Sequence, residues 1–425
     1  MFTVLLLAAV LLGAPLFAVI TAAALLGFHR SGVDLSVYAI EVYRIVDMPV
    51  LLAIPLFTFT GYLLSESRAS DRLLRLTNAL TGWTRGGVAV MALVACAVFT
   101  ALTGASGVTI IALGALLYPA LKQAGYSERF SLGLITTSGS LGLLFPPSIA
   151  LILYGVVAQQ LNLGRPVAVD DLFLAGLLPG ALMLVLLAAW GVWESRGISV
   201  ARTAFSWREL GRAVYAARWE IPLPFLVLGG IYGGYFAISE AAAASVLYVL
   251  IVEVFLYREI RPAQLPRLMR DSMVLVGSVL IILGASFAST NYLIDIEVPT
   301  RLFDLIRSYI ASPWTFLALL NVFLLILGMF LDIFSAIVIM VPIILPIAVG
   351  YGIHPVHLGI VFLANMQLGY FTPPVGMNLF IASYRFKRRI LDLCLATLPF
   401  FAILAFAVLV ITYWPWLSLA LLPER

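Results

Sequence analysis

Long runs of apolar residues, separated by short polar connections, dominate the chain. A helix needs about 20 apolar residues to cross a bilayer, and nine runs are of that order. They are residues 2–28, 49–65, 130–158, 172–194, 220–236, 238–257, 273–289, 356–384 and 393–422. Two more apolar blocks, residues 82–121 and 313–348, are longer than one crossing and carry an interruption. The pattern predicts an all-α polytopic membrane protein.

The interrupted stretch at residues 103–148 recurs in the second half of the chain. Its residues Pro119, Gly125, Gly142, Pro146 and Pro147 recur at one common displacement as Pro346, Gly352, Gly369, Pro373 and Pro374, as do Ile110 and Leu141 as Ile337 and Leu368. Backbone groups freed by a break find no water in the hydrocarbon core, so protein or a polar cavity must satisfy them. We therefore predict a duplicated unit whose breaks form a transport site near the midplane.

The two interrupted blocks are predicted to be re-entrant hairpins. Their second arms, residues 108–121 and 336–348, would span only about 21 Å at 1.5 Å per residue, which is short of a hydrocarbon core of roughly 30 Å. Each is preceded by an amphipathic stretch, residues 66–81 or 299–312, that suits the membrane interface. Their tips are expected to meet at depth, having entered from opposite sides.

Four crossings and one hairpin make up each predicted half. Residues 1–194 form the first half and residues 238–425 the second, and residues 195–237 connect them. Pro-Pro pairs interrupt one helix in each half, over residues 130–158 and 356–384. Because the halves begin on opposite faces, the sequence predicts an inverted repeat.

Composition excludes most other classes of protein. The chain is 63% hydrophobic and 11% charged, against about a quarter charged in soluble domains. All 25 Lys and Arg residues lie in connections on one predicted side except Arg30, Arg44, Arg165, Arg301, Arg307 and Arg425. The positive-inside rule then places the N-terminus in the cytoplasm and the C-terminus outside. The net charge of +4 thus reflects topology, and no nucleic-acid binding is expected.

Polar residues cluster at the predicted breaks. The tips carry Thr103, Ser106 and Thr109 in the first block, and Asp332 and Ser335 in the second. The Pro-Pro helices add Thr136, Thr137, Ser138, Ser140, Asn365, Gln367, Thr372 and Asn378. Hard cations prefer oxygen ligands, and broken helices offer carbonyl ends to sodium and N-terminal amides to a carboxylate. Alternatively, such hydroxyls hydrogen-bond between helices, and Asp332 acts as an ion ligand or as a brace for its loop.

Other ionisable residues suggest less chemistry. Glu240 is expected near the outer face in a structural or functional role, and Glu253 is expected to snorkel to the interface. His354 and His357 are predicted turn residues, and Cys96 and Cys394 are predicted packing residues. No Gly-Lys dipeptide occurs, so the chain has no phosphate-binding P-loop. Active transport driven by an ion gradient, or by an ATPase on another chain, is therefore expected, and an enzyme is not.

Several motifs resemble the large membrane subunit of TRAP transporters, the tripartite ATP-independent periplasmic carriers. They are Leu51-Leu-Ala-Ile-Pro-Leu-Phe57, Gly142-Leu-Leu-Phe-Pro-Pro-Ser148, Gly229-Gly-Ile-Tyr-Gly-Gly followed by Ser239-Glu-Ala-Ala-Ala, and Phe371-Thr-Pro-Pro-Val-Gly-Met-Asn-Leu-Phe380. The resemblance covers essentially the whole chain. It implies a sodium-driven elevator in a bacterial inner membrane that carries an organic anion, such as a carboxylate or sugar acid. It also implies a small four-helix membrane subunit and a periplasmic substrate-binding protein as partners.

The resemblance also implies site residues. Sodium ligands are expected from Thr103, Gly104, Ser106, Ser138 and Ser140 around the first break, and from Asp332, Asn365, Gln367 and Thr372 around the second. Substrate contacts are expected from Thr109, Pro146, Pro147, Ser148, Pro373, Pro374 and Asn378. The first tip, Gly104-Ala105-Ser106, differs from the family's common Gly-Ser-Ser or Gly-Ser-Gly and lacks one hydroxyl. A stand-alone anion or dicarboxylate carrier and a channel that uses the same broken helices are the alternative interpretations.

Overall fold

The computed structural model describes residues 13–44, 47–84, 86–161, 163, 167–197 and 205–422. These residues form helices without any strand. Among them, seven helices are long and apolar enough to cross a membrane, or eight if the bent pair Glu128–Leu144 and Ile149–Gln160 is one span. The predicted all-α membrane class is confirmed. Residues 2–12 of the first predicted crossing, and Arg85, Arg165, Arg202 and Arg425 of the charge argument, lie outside the described residues.

Nine helices lead up to the connecting segment. They are α1 (Leu16–Ser31), α2 (Ser36–Arg44), α3 (Ala53–Glu66), α4 (Ala69–Thr81), α5 (Gly87–Thr103), α6 (Ser106–Gln123), α7 (Glu128–Ser138), α8 (Ile149–Gln160) and α9 (Val169–Glu194). Short 3-10 turns precede α3 and lie between α7 and α8. The first interrupted block is therefore the pair α5 and α6, and the first broken helix is the pair α7 and α8.

The second part of the chain repeats this order. Its helices are α10 (Trp207–Ala216), α11 (Pro222–Tyr232), α12 (Ile238–Leu250), α13 (Leu265–Asp295), α14 (Val298–Tyr309), α15 (Pro313–Phe330), α16 (Ile333–Gly350), α17 (Pro355–Gly369), α18 (Met377–Phe386), α19 (Ile390–Tyr413) and α20 (Trp416–Leu419). A π-helical turn, Ile251–Leu256, extends α12. The pairs α15 with α16 and α17 with α18 are the counterparts of α5 with α6 and α7 with α8.

Four predicted lengths are wrong. Helix α13 has 31 residues instead of the run 273–289, and the last run ends as a long helix at Tyr413, before Pro415. The second arms α6 and α16 have 18 residues each, or about 27 Å at 1.5 Å per residue, because each helix begins immediately after its break. Helix α16 is therefore long enough to cross a membrane.

The two interrupted units share their special backbone positions. Gly125 and Gly352 follow the second arms with φ values of 92° and 80°, in the left-handed region where glycine commonly ends a helix. The Pro146-Pro147 and Pro373-Pro374 bonds are both cis. The duplication is thus visible in the conformation as well as in the sequence, while the inverted orientation of the halves stays a prediction.

Helices of one unit pack directly on helices of the other unit. Helix α16 packs on α8, α18 packs on α6, and α19 packs on α7. One continuous hydrophobic core includes residues of both units. This interleaving brings the breaks of the two units to the same region of the molecule.

The amphipathic helix α4 is fixed by a buried ion cluster. The Arg72 guanidinium donates to the carboxylates of Glu220, Glu253 and Glu259, and it lies 4.0 Å from the centre of the Tyr257 ring. Glu253 is 0% exposed, so the prediction that it snorkels is wrong. Its carboxylate is paired inside the protein, because the side chain of Arg72 in α4 donates a hydrogen bond to it.

Candidate functional site

The two helix breaks open into one cavity of about 260 Å³. The first break contributes residues 104–108 and the second contributes residues 332–335. The rest of the wall is formed by Tyr62, Leu143, Leu275, Ser278, Val279, Ile282, Tyr370 and Met377. The tips of both interrupted blocks therefore meet, as the sequence predicts, on one side of a wall made by α3 and α13.

The second break is closed by its own side chains. Asp332 caps α16, because its Oδ1 accepts hydrogen bonds from the amides of Phe334 at 3.0 Å and Ser335 at 2.9 Å. The Ser335 hydroxyl donates to the other carboxylate oxygen. The Ile333 amide donates to the hydroxyl of Tyr370 at 2.6 Å. Asp332 thus braces its loop, which is one of the two roles expected for it.

The first break is built on glycine and lacks such a cap. Gly104 has a φ of 68° and ends α5 in the left-handed region. Ala105 stands at the N-cap position of α6 and carries no side-chain oxygen. The hydroxyls of Thr103 and Ser106 are buried without a hydrogen-bond partner. The Thr109 hydroxyl lies 2.7 Å from that of Thr100, which in turn donates to the Gly139 carbonyl at 2.8 Å.

The Pro-Pro segments pack directly on the first arms of the interrupted blocks. A Cβ atom on Gly142 would lie 2.4 Å from the Ala97 carbonyl oxygen of α5, and one on Gly369 would lie 2.6 Å from the Cα of Gly328 in α15. The Gly376 amide donates to the Met329 carbonyl at 3.0 Å. Each unwound segment is therefore held against the helix that leads into the break of its own unit.

Several buried polar atoms near the breaks have no partner among the described residues. They are the hydroxyl oxygens of Thr103, Ser106 and Thr137, both amide atoms of Gln367, and Oδ1 of Asn378. Buried polar groups normally find a hydrogen-bond partner, so the unpaired ones are candidates for ligand contacts. Most of these atoms are oxygens, which suit a hard cation such as sodium.

The other predicted sodium ligands already have hydrogen-bond partners in the protein, most of them backbone carbonyls three or four residues earlier in the chain. Ser138 donates to the Ile135 carbonyl at 3.4 Å, Ser140 to the Thr137 carbonyl at 3.3 Å, and Thr372 to the Leu368 carbonyl at 2.8 Å. Asn365 donates to Asn321 Oδ1 in α15 at 2.6 Å. The structure thus groups Asn365 with Asn321. None of these residues lines the cavity.

The predicted substrate contacts are also divided between places. Thr109, Ser148 and Asn378 are buried outside the cavity wall. Ser148 caps α8 by accepting from the Leu151 amide, and Asn378 donates to the Thr136 carbonyl at 3.3 Å, which joins α18 to α7. Of the four prolines, Pro146 and Pro147 are buried, whereas Pro373 and Pro374 are exposed. Pro146 lines a separate apolar cavity of about 210 Å³.

Sequence reasoning missed the aromatic and scaffold residues of the wall. Tyr370 directly follows Gly369, a residue that the repeat singles out, so its position was a usable signal. Tyr62 and Ser278 lie in ordinary helical stretches, and nothing in the sequence marks them. His357 is another correction, because it lies buried in α17, 3.2 Å from the Ser418 hydroxyl, instead of in a turn.

An all-helical membrane protein with paired helix breaks around one cavity is a transport protein by class. Residues 1–417 match the family described as "Tripartite ATP-independent periplasmic transporter, DctM component". The chain belongs to this family of TRAP large permeases, as the motifs predict.

Relatives across the family are similar over nearly the whole chain. The chain is 35% identical over 404 residues to the C4-dicarboxylate TRAP transporter large permease protein DctM of Rhodobacter capsulatus, covering 93% of this chain and 91% of the relative. It is 31% identical over 415 residues to the ectoine/5-hydroxyectoine TRAP transporter large permease protein of Ruegeria pomeroyi, covering 97% and 95%. These relatives are permeases and not enzymes.

A longer relative and one solved structure are also similar to the chain. The isethionate TRAP transporter permease protein of Oleidesulfovibrio alaskensis is 33% identical over 372 residues, which cover 87% of this chain and 58% of the relative. The fold is similar to that of the Alcanivorax borkumensis YdaH transporter, with a TM-score of 0.63 and 14% identity, covering 91% and 89% of the two chains. At that identity the likeness shows the fold alone.

Proposed function

We propose that the chain is the large membrane subunit of a sodium-driven TRAP transporter that imports an organic anion across a bacterial inner membrane. The observation that carries this proposal is the shared cavity, whose wall contains both helix breaks. A small four-helix membrane subunit and a periplasmic substrate-binding protein are the expected partners. The N-terminus would lie in the cytoplasm and the C-terminus in the periplasm.

Sodium would bind at the two breaks. The unpaired hydroxyls of Thr103, Ser106 and Thr137 support a site at the first break, and the unpaired amide of Gln367 in α17 supports a second site in the other unit. Oxygen atoms from these side chains and from the carbonyl ends of broken helices are the ligands that a hard cation prefers. Sodium is cargo in this proposal, because it enters and leaves with the substrate in each cycle.

The substrate class follows from the cavity and from the relatives. The cavity wall is mostly apolar, and the volume of about 260 Å³ suits a compact solute. The relatives are named for C4-dicarboxylates, ectoine and isethionate, and each of these solutes carries at least one acidic group. A small organic acid or sugar acid is therefore the class of solute that we expect this chain to carry.

The movement we propose is an elevator. The two breaks and the Pro-Pro helices form one interleaved body, whereas α3 and α13 supply the opposite wall of the cavity. Sliding of that body along the wall would move the cavity from one side of the membrane to the other. Helices α4 and α14, which precede the two interrupted blocks, are placed to connect the moving body to the rest.

Uptake by proteoliposomes tests this function. The chain, co-purified with its small subunit, is reconstituted and supplied with the binding protein and with labelled succinate, isethionate or ectoine. We expect accumulation of one of these solutes when sodium is high outside, and none when potassium replaces sodium at the same membrane potential. Sodium-independent accumulation would contradict the sodium coupling. Full uptake without the binding protein would instead support a stand-alone carrier, and non-saturating flux would support a channel.

A further inference from the structure

Each amphipathic helix leaves a groove against both arms of the interrupted block that follows it. The groove beside α4 has a volume of about 460 Å³ and is walled by α4, α5 and α6. Its counterpart beside α14 has a volume of about 260 Å³ and is walled by α14, α15 and α16. Neither groove shares a wall residue with the cavity between the two breaks. The duplicated units therefore repeat this groove, at a place separate from the proposed transport site.

The two grooves differ in polarity. All the described residues that line the α14 groove are apolar. The α4 groove has three polar side chains in its wall, Arg75 and Asn78 of α4 and Gln123 of α6, and the remaining wall residues are Leu, Val, Met and Ala. The α4 groove is therefore amphiphilic, whereas its counterpart is not.

The polar and apolar parts of the α4 groove follow one another along α6. Gln123 is exposed and ends α6, whereas Leu116 and Leu117 lie six or seven residues closer to the break. At 1.5 Å per residue, this separation is about 10 Å along the helix axis. A phospholipid has the same order, with a polar headgroup next to apolar chains. The arrangement of the wall thus matches that of one lipid molecule.

Aromatic side chains beside α4 indicate where the membrane surface lies. Trp83 lies in the link between α4 and α5, and its ring centre is 5.7 Å from that of Phe205. The ring centre of Phe205 is in turn 4.9 Å from that of Trp207, which is 78% exposed. Exposed Trp side chains concentrate at the level of the lipid headgroups. The polar end of the groove, next to α4, therefore lies at the headgroup level.

The polar side chains of the groove have hydrogen-bond donors to spare. The side-chain amides of Asn78 and Gln123 bond to no other residue that the structure describes. Arg75 is paired with Glu209 of α10, but through a single carboxylate oxygen, Oε1, which lies 2.7 Å from both Nε and Nη2 of Arg75. A guanidinium carries five N–H donors, so the Nη1 amino group of Arg75 stays available. Arginine donors of this kind suit the oxygens of a phosphate.

The charges at this end of the groove favour an anionic headgroup. Lys122 is exposed in the last turn of α6. A hydrogen bond from Arg75 and the charge of Arg212 lower the pKa of the Glu209 carboxyl, so Arg212 is also close. Three positive groups thus face two negative ones, Glu209 and Asp71 in the first turn of α4. The surplus of positive charge attracts anionic lipids.

We propose that the α4 groove binds one anionic phospholipid. An acyl chain lies between α4 and the two arms of the first interrupted block, and the phosphate is held by Arg75, Asn78 and Gln123. The α14 groove lacks a polar side chain in its described wall and so has no equivalent headgroup subsite. This lipid site is separate from the proposed sodium and substrate sites, so it does not depend on the proposed function.

Lipid-dependent thermal stability tests the site, because a ligand of the folded state raises the thermal midpoint. The chain, co-purified with its small subunit, is delipidated in an uncharged detergent and titrated with dioleoyl phosphatidylglycerol or dioleoyl phosphatidylcholine. We expect the anionic lipid to act at an about tenfold lower concentration than the zwitterionic one, the effect of one charge-assisted hydrogen bond. Arg75→Gln should remove this preference. Glu209→Gln, which removes the carboxylate that competes for Arg75, should enlarge it.

A matched control and a groove-filling variant separate the outcomes. Arg301→Gln changes an exposed arginine of α14, the helix beside the apolar groove, and should keep the wild-type preference. Ala120→Trp fills the α4 groove and should abolish the response to phosphatidylglycerol. Equal responses of the wild type to both lipids, or an unchanged preference in folded Arg75→Gln, would overturn the site. Loss of the small subunit from Ala120→Trp with an unchanged lipid response would show a protein interface instead, and would also overturn it.

Discussion

At the scale of the residue, Arg72 has the strongest predicted effect on stability. It is the guanidinium partner of three carboxylates, of which Glu253 is fully buried. Removal of one partner from a buried ion cluster costs about 3–5 kcal/mol, because a charge is left without compensation. Arg72→Gln should therefore lower the thermal midpoint of the purified protein strongly.

Arg75 provides the control for this prediction. It lies one turn further along α4 and pairs with Glu209 of α10, but both side chains are largely exposed. Exposed pairs contribute little to stability, so Arg75→Gln should leave the thermal midpoint nearly unchanged. Equal changes in the two variants would contradict the view that burial makes the Arg72 cluster important.

Residue roles were only partly predictable from the sequence. Asp332 was identified because an acid beside a helix break in an apolar segment is costly. The cluster of Glu253 with Arg72 was missed, since the two residues are 181 positions apart in the chain and their side chains meet only in the folded structure. The family resemblance grouped Asn365 with Asp332 as sodium ligands, and the structure shows that the Asn365 amide donates to Asn321. Contacts between distant segments are not encoded in local spacing.

At the scale of the helix, the close crossing of α15 and α17 fixes the second break. Gly328 and Gly369 meet with no room between them, since a Cβ on Gly369 would lie 2.6 Å from the backbone of Gly328. Gly369→Ala must push the two helices apart and move Tyr370 away from the Ile333 amide. We expect lower thermal stability and reduced uptake.

Gly277 in the middle of α13 is the matched control, because a Cβ there would meet no atom within 4 Å. Alanine is the better helix former by about 1 kcal/mol, so Gly277→Ala should be neutral or stabilising. If Gly369→Ala is as stable and active as Gly277→Ala, the close crossing does not hold the break in place.

Helix existence was well predicted, but helix ends were not. Apolar runs identified the helices that span the membrane, and paired Gly and Pro residues located the breaks. The second arms were predicted too short because their counts began at residues 108 and 336, whereas the helices begin directly after the break at Ser106 and Ile333. A polar first turn belongs to these helices, and an apolar count leaves it out.

At the scale of the whole molecule, we propose that paired breaks in two similar units form a single sodium-dependent site. The interleaved packing of the units brings the breaks together, and the cavity between them is lined from both sides. The duplicated sequence predicted this meeting. It did not predict that Asp332 caps the helix after one break whereas the helix after the other break has no side-chain cap. The hydrogen bonds that form the cap are visible only in the structure.

The most direct test is the thermal midpoint of the purified chain as a function of sodium concentration. A ligand that binds only the folded state stabilises it in proportion to the logarithm of its concentration once above its dissociation constant. We predict that the midpoint rises with sodium and not with potassium, that Asp332→Asn weakens this rise, and that Asp304→Asn, on the exposed face of α14, keeps it. Identical midpoints in sodium and potassium for the wild-type chain would contradict the account.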